Sequence, residues 1–260
     1  MPRFKLTIEY DGTRYAGWQL QKNERTVQGA FFDALKKIFP NKKFEFYGAG
    51  RTDAGVHATG QVAHLDVKTD HTPQRLLFAL NDNLPFDVNV LEVEMADPDF
   101  HARYDATSRS YVYVISHKRT AFCKGNVWWV RDRLDLVRMR EAARILVGFK
   151  DYASFTDKKG ETESTQVDVV RVDVLPAGNI TCINVVGSHF LWKMVRRMVG
   201  VIVEAGRGRL APSEIEAMFR TRSDLPARLT APPSGLYLSA VCYDDEEPPH
   251  GQCVVPRLMI

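Results

Sequence analysis

The residues best suited to chemistry lie in one glycine-rich stretch, "GAGRTDAGVHATG", at residues 48–60. Asp53 supplies a carboxylate at its centre, and Arg51 lies two residues earlier. Glycines permit backbone conformations and close approaches that side chains prevent. The spacing fits neither the dinucleotide fingerprint G-x-G-x-x-G nor a P-loop. The stretch predicts a loop that brings Asp53 and Arg51 close to a substrate, with a simple Asx-turn as the alternative interpretation.

Other catalytic chemistries find no support in the sequence. The histidines show neither the H-E-x-x-H nor the deaminase pattern, so we interpret His57 and His64 as structural. No serine has a G-x-S-x-G setting. The four cysteines contain no C-x-x-C pair and are expected to be reduced, mostly buried thiols. The sequence thus predicts no metal and no cofactor, and leaves covalent or proton-transfer chemistry on a bound substrate.

Cations and aromatic side chains are interleaved along the chain. In the predicted helix "HFLWKMVRRMVGVIVEAG", three cations fall at i, i+3 and i+4, which predicts one basic face: Lys193, Arg196 and Arg197. Further arginines and aromatics lie in or near predicted loops: Arg14, Arg25, Arg51, Arg103, Arg109, Tyr15, Trp18, Tyr104 and Tyr111. A solvated basic surface is one interpretation. The other is RNA binding, because phosphates accept charge-assisted hydrogen bonds and bases stack on aromatic rings.

The elements that position these residues follow the order β-α-β-β-α-β over the first 104 residues. Period-two alternation predicts a strand at Phe4, Leu6 and Ile8. Two helices are predicted to begin after Thr26 and after Thr72. The strands "FEFYG" and "GQVAHLDV" flank the Asp53 loop, and a further strand carries three apolar residues: Leu91, Val93 and Met95.

A similar order follows after residue 105. It comprises the strand "SYVYVISH", a helix from Leu136, two strands around a turn at residues 176–179, the basic helix, a shorter helix from Pro212 and a last strand, "GLYLSAVCY". The fold class is therefore α+β, with two ferredoxin-like (split βαβ) halves and mainly antiparallel sheets. The predicted domains are residues 1–104 and 105–243, followed by a C-terminal extension at 244–260.

Composition limits the class of protein. With 260 residues, 45% hydrophobic and 26% charged, the chain is long enough for one large core or two modest ones. Its formal net charge of +3 is only mildly basic. No apolar run is long enough to span a bilayer, and the N-terminus "MPRFKLTIEY" alternates instead of showing a signal peptide. We expect a cytoplasmic protein without membrane association.

Six segments, in order, resemble the signature segments of the TruA family of tRNA pseudouridine synthases. They are "YDGTRYAGWQLQ", "TVQGAF", "GAGRTDAGVHATGQVAH", "FHARYDATSRSYVYVI", "SHFLWKMVRRMVG" and "TAPPSGLYLSAVCY". The resemblance implies isomerisation of uridine to pseudouridine at positions 38, 39 and 40 in the anticodon arm of tRNA. It also implies a homodimer that needs no cofactor, with two α/β halves around a basic RNA-binding cleft.

The resemblance also implies roles for single residues. Asp53 of "GRTDAG" is similar to the family's catalytic aspartate, as nucleophile or as base. Arg51 resembles the arginine that holds the flipped nucleotide and pairs with this aspartate. Tyr111 resembles the tyrosine that stacks on the uracil and takes part in removing the C5 proton. Arg196 matches a basic position near the aspartate, and Leu238 an apolar wall for the base.

Extruding a paired base requires compensating phosphate contacts, so we expect five cations to contact the tRNA backbone: Arg14, Arg25, Arg103, Lys193 and Arg197. Two other classes of function stay open from the residues alone. A non-catalytic RNA-binding module would not need an intact "GRTDAG". A metal-dependent RNA hydrolase would lose activity on chelation and lacks ligands here. The charged segment Thr156–Ser164 and the tail after Tyr243 depart from the family pattern.

Overall fold

The computed structural model describes residues 1–157, 164–244 and 246–249. Its helices are α1 (Val27–Ile38), α2 (Pro73–Asn83), α3 (Leu136–Ile145), α4 (Met194–Gly206), α5 (Pro212–Arg220) and α6 (Leu225–Arg228). Its strands are β1 (Arg3–Tyr10), β2 (Phe44–Gly48), β3 (His57–Val67), β4 (Val88–Ala96), β5 (Ala106–Ser116), β6 (Trp128–Trp129), β7 (Gly148–Asp151), β8 (Gln166–Ala177), β9 (Ile180–Gly187) and β10 (Leu236–Tyr243). The α+β class is confirmed. Residues 158–163 of the charged segment Thr156–Ser164, and most of the tail after Tyr243, lie outside the described residues.

The chain forms two compact units that do not divide it at a single point. The first unit comprises Met1–Thr107 and Tyr237–Glu247, and the second comprises Ser108–Leu236 and the chain after Glu247. The first boundary falls shortly after the residue 104 expected from the sequence. The difference is at β10, most of which belongs to the first unit because this strand pairs with β3.

The sheet of the first unit positions the Asp53 loop. The antiparallel strands run in the order β4-β1-β3-β2, and β1 buries Phe4, Leu6 and Ile8 as the alternation predicts. Strand β1 occupies one edge of β3, so β2 and β10 share the other edge. Parallel pairing of β10 with β3 sets Leu238 opposite Ala58. The start of β10 therefore lies beside the beginning of β3, where the loop ends.

Two helices of the first unit begin where their capping residues predict. The Thr26 side chain accepts a hydrogen bond from the Gly29 N–H, and Thr72 caps α2 in the same way. Pro73 occupies the start of α2, where a backbone N–H would have no acceptor within the helix, so the absence of that N–H in proline costs no hydrogen bond. Each helix buries the apolar residues on one of its sides, which explains why these residues recur at helical spacing.

Strand β4 departs from simple alternation. Thr7 of β1 pairs with Glu92, but Ile8 pairs with Val90, so Leu91 is an extra residue in the ladder. A bulge of this kind leaves one residue unpaired and bends the strand. Leu91 is 44% exposed as a result, whereas Val90 is buried. The strand was expected correctly, but its period-two pattern does not define which side chains face the core.

The second unit has its own antiparallel order, β5-β9-β8-β7, with β6 paired in parallel to β5. The turn predicted at 176–179 is confirmed at Gly178 and Asn179, which join β8 to β9, whereas Pro176 and Ala177 still belong to β8. Gly178 has φ 58°, a left-handed conformation that favours glycine. The predicted mainly antiparallel sheets are therefore observed in both units.

Helix α4 begins later than its apolar pattern predicts. Lys193 has φ 61°, which a right-handed helix cannot contain, so the helix starts at Met194. Nearly all of its residues are buried, including Arg197 at 3% exposure. The expected single basic face is therefore wrong: Lys193 lies outside the helix and Arg197 points into the protein. The polar side of this helix is packed against protein as well, so its amphipathic sequence pattern does not define a solvent-exposed face.

The cysteines differ in part from expectation. Cys123 is an exposed free thiol and Cys242 a buried one. Cys182 is disulfide-bonded, so the prediction of reduced thiols is wrong for this residue. Cys253 lies outside the described residues.

Among the described helices, none is both long and apolar enough to cross a membrane.

Candidate active site

The Asp53 loop joins β2 to β3 and contains a hydrogen-bonded turn. The Val56 N–H donates to the Asp53 carbonyl at 3.1 Å, and Gly55 has φ 76°. A positive φ at this position is what a type II turn requires, which explains the glycine. Asp53 is half-buried, Thr52 is buried and Arg51 is exposed. The turn places a partly accessible carboxylate directly after a buried anchor residue.

A second chain segment, Tyr15–Trp18, holds the loop from one side. The Trp18 N–H donates to the Thr52 carbonyl at 3.1 Å, and the Gly55 N–H donates to the Tyr15 carbonyl at 3.2 Å. Between them lies Gly17, with φ 103°, where an added Cβ would come within 2.6 Å of the Thr52 carbonyl oxygen. This close backbone approach requires glycine. The loop is therefore fixed by backbone contacts on both sides of Asp53.

Side chains add further anchors around Asp53. The hydroxyls of Tyr10 and Thr52 lie 2.8 Å apart in a buried hydrogen bond. The Gln61 amide donates to the Gly50 carbonyl at 2.9 Å. Buried hydrogen bonds of this kind restrict a loop because breaking one leaves a polar group without water. The backbone around the carboxylate is thus held in place before any substrate binds.

His57 and Leu238 lie next to this loop for structural reasons. His57 is 1% exposed, its Nδ1 accepts the Gly12 N–H at 3.0 Å, and its ring stacks on Tyr237 with centroids 4.7 Å apart. These contacts support its interpretation as a structural residue. Leu238 is fully buried, and its Cδ2 lies 3.9 Å from the position that a Cβ on Gly50 would take. The structure therefore places Leu238 next to the loop.

The predicted cations of the first unit have different surroundings. The Arg14 guanidinium carbon lies 5.4 Å from the ring centroid of Phe86, which is 85% exposed. The exposed Arg103 lies 5.9 Å from the ring of Tyr104. Both pairs present a cation beside an exposed aromatic ring, a combination that suits phosphates and bases. The sequence analysis missed Phe86. An apolar residue directly after Pro85, in a loop, could have indicated an exposed aromatic ring.

Arg25 is instead held by an internal carboxylate. Its Nη2 donates to both oxygens of Asp87, at 3.0 and 2.9 Å, and its guanidinium lies 4.6 Å from the Tyr15 ring centroid. The Asp87 side chain is only 5% exposed. The sequence analysis missed Asp87, which carries no local pattern and meets its partners only through folding.

The predicted residues of the second unit lie on β5 and α4. Tyr111 pairs with Val185 in the β5–β9 ladder, and its ring meets the Phe190 ring edge-on at 5.2 Å. The Arg196 Nε donates to the Ala231 carbonyl at 2.8 Å. The Ala231 N–H returns a bond to the Arg196 carbonyl at 3.1 Å. Arg196 is thereby fixed to the segment that precedes β10.

Lys193 and Arg197 meet at one carboxylate in the second unit. Asp157 accepts a hydrogen bond from the buried Arg197 guanidinium and pairs with Lys193 Nζ at 3.3 Å. The hydrogen bond from Arg197 is the main cause that holds the pKa of Asp157 below its usual value, with Lys193 adding to it. These two cations are therefore engaged within the protein, and Asp157 is another partner that sequence spacing did not reveal.

The site residues predicted from the sequence thus fall in both units. The first unit contains Asp53, Arg51, Leu238, Arg14, Arg25 and Arg103, and the second contains Tyr111, Arg196, Lys193 and Arg197. Across the described ranges 1–157, 164–244 and 246–249, no group of three or more His, Cys, Asp or Glu side chains could hold a metal ion.

His64 is a buried histidine whose environment disfavours its charged form. It is 1% exposed, and its Nδ1 accepts the Ala102 N–H at 3.1 Å. Burial is the main cause that lowers its pKa to about 4, and the positive charges of His101 and Arg3 add to the shift. Protonation at Nδ1 would also convert this hydrogen-bond acceptor into a donor.

We expect His64 to make the stability of the protein depend on pH. Its folded pKa lies below the ordinary value, so the unfolded chain binds more protons between pH 4 and 6.5. The free energy of unfolding should fall by up to about 3 kcal/mol as the pH drops through this window, and His64 should add no dependence above it. Urea unfolding at pH 7 and pH 5, with His64→Asn as control, measures this. If the free energy of unfolding fell equally from pH 7 to pH 5 in the wild type and in His64→Asn, the prediction would be contradicted.

Comparison with known proteins gives a consistent result. The family model described as tRNA pseudouridine synthase matches residues 6–105 and 142–244. A tRNA pseudouridine synthase A of Rhodopseudomonas palustris (strain BisA53) is 43% identical over 247 residues, 94% of this chain and 100% of the relative. The protein of the same name from Pseudothermotoga lettingae is 41% identical, over 93% of this chain and 99% of the relative. The one from Geobacillus kaustophilus is 39% identical, over 94% of this chain and 95% of the relative.

Proposed function

Because the chain belongs to the tRNA pseudouridine synthase family, isomerases that convert uridine to pseudouridine, we propose that it modifies uridines 38, 39 and 40 in the anticodon stem and loop of tRNA. The match of the family model over both parts of the chain carries this proposal. It includes Asp53, Arg196 and Leu238, whereas Tyr111 falls between the matched ranges. The geometry of the Asp53 loop agrees with it, since a rigid backbone presents a half-buried carboxylate.

The proposed reaction uses Asp53 at the sugar. The glycosidic bond from N1 to C1′ breaks, the uracil turns, a bond from C5 to C1′ forms, C5 loses its proton and N1 gains one, so that the product is an isomer of the substrate. A carboxylate can start this sequence as a nucleophile at C1′ or as a base at the ribose. Arg51 is proposed to hold the flipped nucleotide, Tyr111 to stack on the uracil and help remove the C5 proton, and Arg196 to supply positive charge near Asp53.

Binding must offset the free energy needed to flip a paired uridine. This is a few kcal/mol, which contacts to phosphates can supply. We propose Leu238 as the apolar wall of the base pocket, and Arg14 and Arg103 as phosphate contacts. Three further cations expected to bind phosphate from the sequence already pair with a carboxylate: Arg25 with Asp87, and Lys193 and Arg197 with Asp157. Two ferredoxin-like halves beside a basic cleft, a homodimer and action in the cytoplasm complete the proposal. The interleaved cations and aromatic rings of the sequence support it.

Replacing Arg14 by alanine is expected to weaken tRNA binding uniformly across tRNAs. The exposed guanidinium, next to an exposed ring, is suited to a phosphate, and losing one such contact should reduce the salt slope of log K by about 1. Filter binding at several salt concentrations measures it. Arg220→Ala is the control, since Arg220 already bonds Glu216 on α5. Identical slopes for Arg14→Ala and wild type would remove Arg14 from the contact set.

Tritium release from tRNA transcripts labelled at uridine C5 tests the function. C5 loses its hydrogen only when the new carbon–carbon bond forms there. We expect release by the wild-type protein, unchanged by a chelator, with sites that map to positions 38, 39 and 40. Release that stops with chelator would favour metal-dependent chemistry. Tight tRNA binding without release would identify a binding module and overturn the proposal.

A further inference from the structure

The segment Tyr15–Trp18 lies between two other stretches of backbone in the first unit. On one side it bonds to the Asp53 loop through Tyr15 and Trp18, as described above. On the other side the Ala16 N–H donates to the Arg25 carbonyl at 2.8 Å, and the Val27 N–H donates to the Gly17 carbonyl at 3.1 Å. The position of this segment therefore affects the position of the loop that carries the carboxylate.

A polar cluster of Tyr15, Asp87 and Arg25, the first two with buried side chains, holds one end of this segment. The Tyr15 hydroxyl, on a side chain 3% exposed, donates to Asp87 at 2.5 Å, and Arg25 donates to both Asp87 oxygens. The Asp87 carbonyl also accepts the Asp11 N–H at 3.0 Å. Burial, followed by the bond to Asp87, raises the pKa of Tyr15 to about 12, so the phenol is a donor at neutral pH. Asp87 is thus the common acceptor of the cluster.

The cluster joins distant parts of the chain at the edge of the loop. Asp87 lies 72 residues after Tyr15 in sequence, directly before β4. Tyr15 connects the two sites through a single residue: its hydroxyl meets Asp87, and its carbonyl meets the Gly55 N–H at 3.2 Å. Gly55 is the third residue of the turn that begins with Asp53. A movement of the Tyr15 backbone would therefore move this turn.

We propose that Asp87, Tyr15 and Arg25 are positioning residues, which fix the Tyr15–Trp18 segment and so hold the Asp53 carboxylate in the geometry that the reaction needs. The inference rests on the proposed function of Asp53. A displacement of about 1 Å at a reacting group can reduce a rate by about 100-fold, so the rigidity of this support matters for turnover. On this proposal Arg25, whose side chain is 48% exposed, acts by pairing with Asp87 and not as a phosphate contact.

Tyr15→Phe tests the cluster with a minimal change. It removes one hydroxyl and keeps the ring beneath Arg25. Tyr243→Phe is the matched control, because Tyr243 is also a buried tyrosine of the first unit and donates its hydroxyl to the Ala102 carbonyl at 2.7 Å. At saturating tRNA we expect single-turnover tritium release to slow by about tenfold or more in Tyr15→Phe and to stay within twofold of wild type in Tyr243→Phe. Equal rates in both variants would overturn the proposal.

Arg25→Gln separates positioning from phosphate binding. A positioning role predicts a slower single-turnover rate with an unchanged Kd and an unchanged salt slope. A phosphate contact predicts a weaker Kd and a slope smaller by about 1, with the rate unchanged at saturating tRNA. The second result would overturn the proposal for Arg25. Rescue of the rate by Arg25→Lys is not expected, since lysine lacks the planar guanidinium that lies over the Tyr15 ring, 4.6 Å from its centroid.

Hydrogen exchange supplies a readout that does not depend on activity. The Gly55 amide should exchange at least tenfold faster in Tyr15→Phe than in wild type, with the amides of β1 as the reference for overall stability. A uniform increase over both regions would indicate a structural role alone and would overturn the proposal. Absence of tritium release from the wild type would count against the proposed function, while the exchange at Gly55 would still decide whether the cluster holds the loop.

Discussion

Asp53→Asn is expected to abolish pseudouridine formation, with turnover at least about 10⁴-fold below wild type, equivalent to about 5 kcal/mol of transition-state stabilisation. An amide of nearly the same shape can neither attack C1′ as a carboxylate nor accept a proton from the ribose at neutral pH. The Kd for tRNA should stay within a few-fold, since the contacts that bind the RNA are distributed over the cations. Tritium release and filter binding on the same preparation measure both quantities.

The control for this substitution is Asp33→Asn, which makes the same chemical change at an exposed position of α1. It should leave both rate and affinity unchanged. Residual turnover near the wild-type level in Asp53→Asn would refute the assignment of the catalytic carboxylate. A loss of tRNA binding together with the activity would instead show that Asp53 is needed for the fold of the loop.

The second large effect is expected for Gly17→Ala. A Cβ at this position would lie 2.6 Å from the Thr52 carbonyl oxygen and 3.2 Å from the Asp53 carbonyl carbon, and its φ of 103° strains any L side chain. The nearest atoms belong to backbone, so no flexible side chain can move aside. We expect a loss of about 2–4 kcal/mol in the free energy of unfolding and a rate reduced by about 100-fold. Urea unfolding and single-turnover tritium release measure the two effects.

Gly178→Ala separates the collision from the backbone conformation. Gly178 also has a positive φ, but an added Cβ would have no atom within 4 Å. Its replacement should lower the free energy of unfolding by only about 1–2 kcal/mol and leave the rate unchanged. If Gly17→Ala behaved like Gly178→Ala in both measurements, the close packing of Tyr15–Trp18 on the Asp53 loop could not be what holds that loop.

Local signals in the sequence predicted most of the elements. The caps at Thr26 and Thr72 and the alternation in β1 depend on residues a few positions apart, and all three are confirmed. The same kind of signal failed at two places. The bulge at Leu91 depends on how β4 pairs with β1, and the late start of α4 depends on the left-handed backbone at Lys193. In both cases the apolar periodicity of the sequence continues past the point where the strand or helix itself is interrupted.

The amino-acid sequence by itself determined the family, the α+β class and the loop that carries Asp53, because these follow from short motifs and local periodicity. Only the tertiary structure decided which side chains surround that loop and which cations are engaged within the protein. It placed Asp87 at the Tyr15 hydroxyl, Asp157 against Arg197 and β10 beside β3. These contacts join residues far apart in the chain, and their energies depend on burial and strand pairing that no local pattern encodes.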